Sequence, residues 1–358
     1  MPLDPQDFTF EDLAVWRTQL PDVDFAILPP GDTRPNPVVS DDMLFVSIFS
    51  PGAVCALDRQ NGHVIWRKEI TNFAGSSVSV RDGTLLAKSS HTLYALDRDS
   101  GATLWSFSPY GPEGESIYSS PTVHQGRVHI GDRRGFLHCL DLNTGEAIWK
   151  ELTNESQNHD VNSTPLISGE LVIVATNANC VVAYEAAMGR QAWKEQVDGP
   201  SILGPVLFGD SVVVAAESLY LLNPENGVAH RHFEWKRKRP NFVECTSDMV
   251  LVALRKDGPP NGELGLEFVN RSGIQHSATL FGYCAHFRFC HEKKLLYVSG
   301  LRGLDICDPA TAECVYRIAS DDDRGGAGLV DVKKETIYAL TGSGCVYALR
   351  HPSAGRAP

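Results

Sequence analysis

Tyr94-Ala95-Leu96-Asp97-Arg98-Asp99-Ser100-Gly101-Ala102-Thr103-Leu104-Trp105 sets the architecture of the chain. A short apolar run ends in Leu-Asp, Gly follows four residues after the Asp, and Trp four after the Gly. The pattern returns as Ala56-Leu57-Asp58 with Gly62 and Trp66, and as Cys139-Leu140-Asp141 with Gly145 and Trp149. Looser copies are Ala183-Tyr184-Glu185 with Gly189 and Trp193, Leu221-Leu222-Asn223 with Gly227 and Arg231, Phe268-Val269-Asn270, and Ile306-Cys307-Asp308 with Tyr316. Tyr347-Ala348-Leu349-Arg350 is the eighth. The anchors 58, 97, 141, 185, 223, 270, 308 and 350 lie 39, 44, 44, 38, 47, 38 and 42 residues apart. A period near 40, built from short strands and tight turns, is the signature of a propeller blade.

Each unit reads as four short strands, in the third copy 119–124, 127–131, 136–141 and 147–152. The Asp-x-x-x-Gly segment is the turn between the last two. Asp bonds the local backbone there, and Gly takes the positive φ the turn needs. Trp is a large rigid side chain suited to filling space between neighbouring sheets. The eighth anchor strand has no partner after it, because 351–358 is short and holds Pro352 and Pro358. Ala14-Val15-Trp16-Arg17 resembles Val64-Ile65-Trp66-Arg67, so the N-terminal segment is expected to complete the last blade. That would close the ring and remove a free sheet edge. A short helix over 11–20 competes with this strand, given its helix-forming residues. The expected fold is all-β: one domain over 1–358, an eight-bladed β-propeller of four-stranded blades closed by an N-terminal strand. Residues 1–11 form an extension and 351–358 a tail.

The chain has 358 residues, 42% hydrophobic and 21% charged, which excludes disordered, collagen-like and low-complexity classes. Apolar runs such as 171–175 and 212–216 are far short of the ~18 residues of a membrane helix. A formal net charge of −12 argues against general binding to nucleic acid or an anionic membrane. Neither is an expected partner. The start, Met-Pro-Leu-Asp-Pro-Gln-Asp-Phe, has no basic region and no apolar core of a secretory signal. Nine cysteines, an odd number spread along the chain, then favour free thiols and a cytoplasmic location.

The motif apolar-x-Ala-Leu-Asp-x-x-x-Gly-x-x-x-Trp resembles the PQQ-type propeller repeat of the quinoprotein/BamB-like family. The likeness covers about residues 12–350, specific in the first four copies and loose in the last four. It implies an eight-bladed ring and does not imply a bound quinone, since fold does not fix function. The adjacent Cys-Cys pair of quinoprotein dehydrogenases has no counterpart here, and the first cysteine is Cys55. Neither a cofactor nor a lipid-attached role is expected.

Ligands of a propeller usually meet at the central channel, at the loops before the innermost strands. Those loops carry Arg34 and Asn36 in blade 1, Tyr118 in blade 3, and His159, Asp160 and Asn162 in blade 4. Blade 7 carries His286 and blade 8 Arg324. Two connections are long, 106–120 and 151–164, and long loops on a rigid scaffold commonly carry function. His159 can act as acid or base near neutral pH with Asp160 to orient it, and His286 could complete a two-histidine site. Tyr118 could donate a hydrogen bond and Arg324 could hold an anion. Arg34, Asn36 and Asn162 are the expected ligand-binding side chains. The alternative is a wet channel in which these groups bond only water.

Cys284-x-His286-x-x-x-Cys290-His291 raises zinc, which takes four thiolate or imidazole ligands. Along an extended strand Cys284 and Cys290 would be ~20 Å apart, too far for one ion, so no metal site is expected. The basic run 231–239 suits a solvated sheet edge better than an acidic partner. Asp321-Asp322-Asp323 lacks the spacing of a calcium loop. Two functions follow. The first is an intracellular binding or scaffold module acting through its channel face on an unknown protein or small-molecule ligand. The second is an acid–base enzyme of lyase, isomerase, cyclase or hydrolase type using His159 and His286.

Overall fold

The computed structural model describes residues 6–21, 23, 37–48, 50–70, 78–111, 114, 116–117, 119–155, 160–201, 203–234, 238–246, 248–256, 264–270, 273–280, 284–300, 303–309, 313–320 and 332–353. Of 231–232, 238–239, 241–242, 255–256, 264–266, 270, 273–280, 284–287 and 300 only the backbone is described. The described strands form eight sheets, the blades of a β-propeller, which follow one another along the chain except that two N-terminal strands join the last two. Blade 3 consists of Thr122–His124, Arg127–Gly131, Phe136–Asp141 and Ala147–Leu152. Its last three strands lie at the limits read from the sequence, and the first is shorter.

The core is divided. Each of the eight clusters of buried apolar side chains lies between two neighbouring blades, and one of them unites blade 8 with blade 1. A row of side chains crosses each blade toward this seam. Phe45, Ala56 and Trp66 are aligned in blade 1, Leu86, Ala95 and Trp105 in blade 2, and Ile173, Ala183 and Trp193 in blade 4. The small middle residue leaves room for the indole beside it.

The indole then docks on the next blade. Trp66 Nε1 donates to the Arg98 carbonyl at 2.9 Å, Trp105 to Leu142 at 2.8 Å, Trp149 to Ala186 at 3.1 Å and Trp193 to Pro224 at 2.9 Å. Each acceptor is the residue after the anchor of the following repeat. The same turn supplies the glycine. Gly145 has φ +72°, its amide donates to the Asp141 carbonyl, and the Asp141 carboxylate accepts from the Asn143 and Thr144 amides at 2.9 Å each. A Cβ on Gly145 would stand 2.6 Å from the Trp105 ring. Gly in the motif therefore meets two demands, a left-handed backbone and the face of the neighbouring Trp.

The ring closes by the same joint. Ala14–Gln19 pairs antiparallel with Cys345–Arg350 as the outer strand of blade 8. Trp16 Nε1 donates to the Arg59 carbonyl at 3.1 Å, and a Cβ on Gly62 would stand 2.4 Å from its ring. The expected strand holds over Ala14–Gln19, and the competing helix is confined to a single turn before it. Phe10–Leu13 is one helical turn with a Thr9–Asp12 capping box, and the chain turns extended at Ala14. The β-branched and aromatic residues Val15, Trp16 and Thr18 favour the strand that follows. A feature the repeats did not announce is Gln6–Thr9, which adds in parallel to the outer strand Cys314–Ala319 of blade 7. The N-terminal segment thus straps blades 7 and 8 together, across a seam that has no Trp–Gly joint. There His351 packs edge-on against Tyr297 and Tyr316, both at 6.1 Å between ring centres.

Candidate functional site

The turns between second and third strands and the connections between blades lie on one face of the ring. The antiparallel order requires this. Serines at the inner-strand starts build this face. Ser119 Oγ donates to the Gly131 carbonyl at 3.1 Å and accepts from its amide at 2.7 Å. Ser163 does the same with Ala175, and Ser201 Oγ donates to the Ala215 carbonyl. These hydroxyls extend the ladder by one rung. The connections are then tied to the preceding blade: the Ile117 amide donates to the Ser90 carbonyl, Val161 to Asp132 and Ser201 to Thr176.

Blade 3 departs from its neighbours at the turn after the second strand. Blades 2, 4 and 8 place a hydroxyl there, Ser89, Thr176 and Thr341, that accepts from amides within the turn. Blade 3 places Asp132, which is fully buried. Its Oδ1 accepts from the Arg134 and Phe136 amides at 2.8 and 3.0 Å. Its Oδ2 accepts from Tyr110 Oη and from His138 Nε2, both at 2.7 Å. Burial alone would push the carboxyl up. His138, the Phe136 amide and Tyr110 outweigh it and hold Asp132 below the usual range. Four donors occupy the carboxylate, so it is a structural anion and not a free base.

Cations gather around this network. The Arg134 guanidinium lies 4.0 Å from the Tyr110 ring centre, and Lys150 Nζ lies 3.8 Å from that of Phe136. Arg133 Nε is 3.6 Å from Asp160 Oδ2, an ion pair joining the blade 3 turn to the connection into blade 4. In blade 2 the fully buried Lys88 donates to the Ile117 carbonyl at 3.0 Å, and burial pushes its amine down to about 7. The Oδ1 atoms of Asn162 and Asn177 are buried without a hydrogen-bond partner.

Of the residues singled out from the sequence, His159, Tyr118, Arg324, Arg34 and Asn36 lie outside the described residues. His286 lies in the inner strand Cys284–Cys290 of blade 7, with its side chain outside the description. Asp160 and Asn162 are described and stand on the expected face, Asp160 in the ion pair with Arg133. Of the basic run 231–239, residues 235–237 lie outside the described residues and 231–232 and 238–239 are described by backbone alone, while the acidic triplet lies wholly outside. Sequence reasoning missed Asp132, His138, Tyr110 and Lys88. The available signal was Gly131-Asp132-Arg133-Arg134-Gly135, a charged turn where blade 4 has Thr176-Asn177-Ala178.

What the described face offers is a rigid, cation-bearing polar surface. Residues 12–233 of the chain match the family model described as outer membrane protein assembly factor BamB. The chain belongs to this BamB family of PQQ-type propellers. A BamB of Legionella pneumophila (strain Paris) is 26% identical over 146 residues, 41% of this chain and 36% of that protein. A polyvinylalcohol dehydrogenase of Pseudomonas sp. is 26% identical over 230 residues, 49% of this chain and 36% of that protein. The chain thus matches little more than a third of the length of these relatives. The crystal structure of BamB from Moraxella catarrhalis superposes with a TM-score of 0.58 at 16% identity, covering 94% of this chain and 99% of that one. That likeness is one of fold. Among the described residues no helix is long and apolar enough to cross a membrane.

Proposed function

We propose that this BamB-family propeller is a binding module, a scaffold that holds a protein partner on the face over blades 3 and 4. The observation that carries this is the fixing of its charged groups by their partners. Asp132 is filled by four donors, Tyr110 and His138 among them, and Arg133 is paired with Asp160. A surface fixed in this way loses little side-chain freedom when a partner settles on it. Arg133, Arg134 and Lys150 give it a positive character within an acidic chain, which suits a partner presenting carboxylates. Eight described cysteines are free, seven of them buried, in keeping with a protein that works in a reducing compartment. The names of the BamB relatives support an assembly role for the family.

The test is affinity capture with the wild-type chain and with Arg133→Glu/Lys150→Glu. Both substitutions fall on partly exposed side chains and should leave the circular dichroism and melting temperature unchanged. The expected result is a stoichiometric partner retained by the wild type and lost by the variant. Equal retention by both would place the binding surface elsewhere.

A further inference from the structure

The opposite face carries a second feature. Where blade 8 meets blade 1, a groove of about 320 Å³ opens beside the closing joint. Trp16 and Tyr338 form its floor, with ring centres 6.2 Å apart, and Arg59, Lys333, Lys334 and Thr336 stand around it. The lining holds three cations and no carboxylate. It is the seam already described, with one difference. Trp66, Trp105 and Trp193 are buried in their joints, whereas Trp16, like Trp149, is partly open, and it is Trp16 that has the groove and its cations beside it. The groove is therefore a Trp–Gly joint whose indole is partly open and flanked by three cations.

We propose that this groove binds a small organic anion, a phosphate or carboxylate head carried on a flat ring. The volume matches small-molecule sites, which combine an apolar floor with a few placed polar groups. The ring would lie against Trp16 and Tyr338, and the head would meet Arg59 and Lys333. Guanidinium and ammonium groups both suit oxyanions, and the indole suits a planar ring. Lys333 Nζ now lies 2.7 Å from Asp41 Oδ1, whose side chain is fully exposed. Asp41 acts as a weak internal competitor, occupying the cation until a better anion arrives. The site does not depend on the partner-binding face, which lies across the ring.

Isothermal titration tests it with adenosine monophosphate, naphthalene-1-carboxylate and inorganic phosphate as probes. Two ring-bearing probes separate a phosphate from a carboxylate head, and inorganic phosphate reports the head alone. At least one ring-bearing probe should bind below about 1 mM, and inorganic phosphate at least about tenfold more weakly. Arg59→Ala and Lys333→Ala should each weaken binding by about tenfold, Asp41→Asn should strengthen it, and the remote Arg190→Ala should change nothing. The Arg59 carbonyl that receives Trp16 is backbone, so its side chain can be removed without cutting the joint. Asp41→Asn alters an exposed side chain and is readable even if another variant misfolds. Failure of both ring-bearing probes to bind, binding equal to that of phosphate, or indifference to Asp41→Asn and Lys333→Ala would overturn the proposal.

Discussion

His129 is the residue at which blade 3 breaks the pattern of its row. Phe45, Leu86 and Ile173 hold the matching position in blades 1, 2 and 4. His129 is fully buried against Trp149, and neither ring nitrogen has a hydrogen-bond partner. Burial pushes its pKa down to about 4. Between its ordinary value of 6.5 and about 4 the unfolded chain binds a proton that the folded chain refuses. Stability contributed by neutral His129 is therefore present above pH 6.5 and lost as pH falls through that window. His129→Leu should raise the free energy of urea unfolding by about 1–3 kcal/mol at pH 7, and by more at pH 5. A gain that does not grow on acidification would mean that His129 is solvated or partnered. Lys88 gives a second pH signature. Its amine sits at about 7 in the fold against 10.5 ordinarily, so the unfolded chain holds the extra proton between those values and stability rises with pH across them. Lys88→Met should flatten the rise in melting temperature from pH 7 to 9.5, and an unchanged slope would contradict the assigned burial. Neither residue was legible in the sequence. A lone His or Lys inside a strand run carries no mark of which face it takes, and here both were turned inward.

At the scale of the element, the Asp-x-x-x-Gly turn and the following Trp were legible, because chemistry local to a few residues repeats along the chain. Gly145 and Gly126 of blade 3 separate the two demands on glycine. Both have φ near +70°, yet a Cβ on Gly126 meets nothing within 4 Å while one on Gly145 meets Trp105 at 2.6 Å. Gly126→Ala should cost about 1 kcal/mol, the strain of a left-handed alanine. Gly145→Ala adds the displacement of an indole and should cost about 3 kcal/mol or more in denaturant unfolding. Equal costs would show that the Trp does not set the joint. Elements with decayed motifs were harder to read. Glu185 cannot bond its turn as Asp141 does, and instead pairs with Arg190 through two hydrogen bonds. The strand Gln6–Thr9 left no trace in the repeat because it adds to an edge by backbone pairing, which asks little of its side chains.

For the whole molecule, closure was legible from an eighth anchor strand without a partner and one short match, Ala14-Val15-Trp16-Arg17 with Val64-Ile65-Trp66-Arg67, and the structure repeats the chemistry as well as the position. Trp16→Ala should therefore destabilise the ring, but by less than Trp66→Ala, which should cost about 3–5 kcal/mol in thermal or denaturant unfolding, because the Trp16 indole is partly open. No loss for Trp16→Ala would mean that blade 8 is held by the strap alone. The face over blades 3 and 4 was legible only in outline. The long connections and Asp160 and Asn162 pointed to it, but its cations and the buried anion beneath them become a unit only when turns 20 or more residues apart are brought side by side. Cross-linking mass spectrometry of the intact complex, isolated through the wild-type chain with a lysine-reactive reagent, tests the central claim most directly. The account predicts partner cross-links at Lys150 and none at Lys294 or Lys334 on the opposite face. Cross-links concentrated at Lys294 and Lys334, with Lys150 unmodified by the partner, would contradict it.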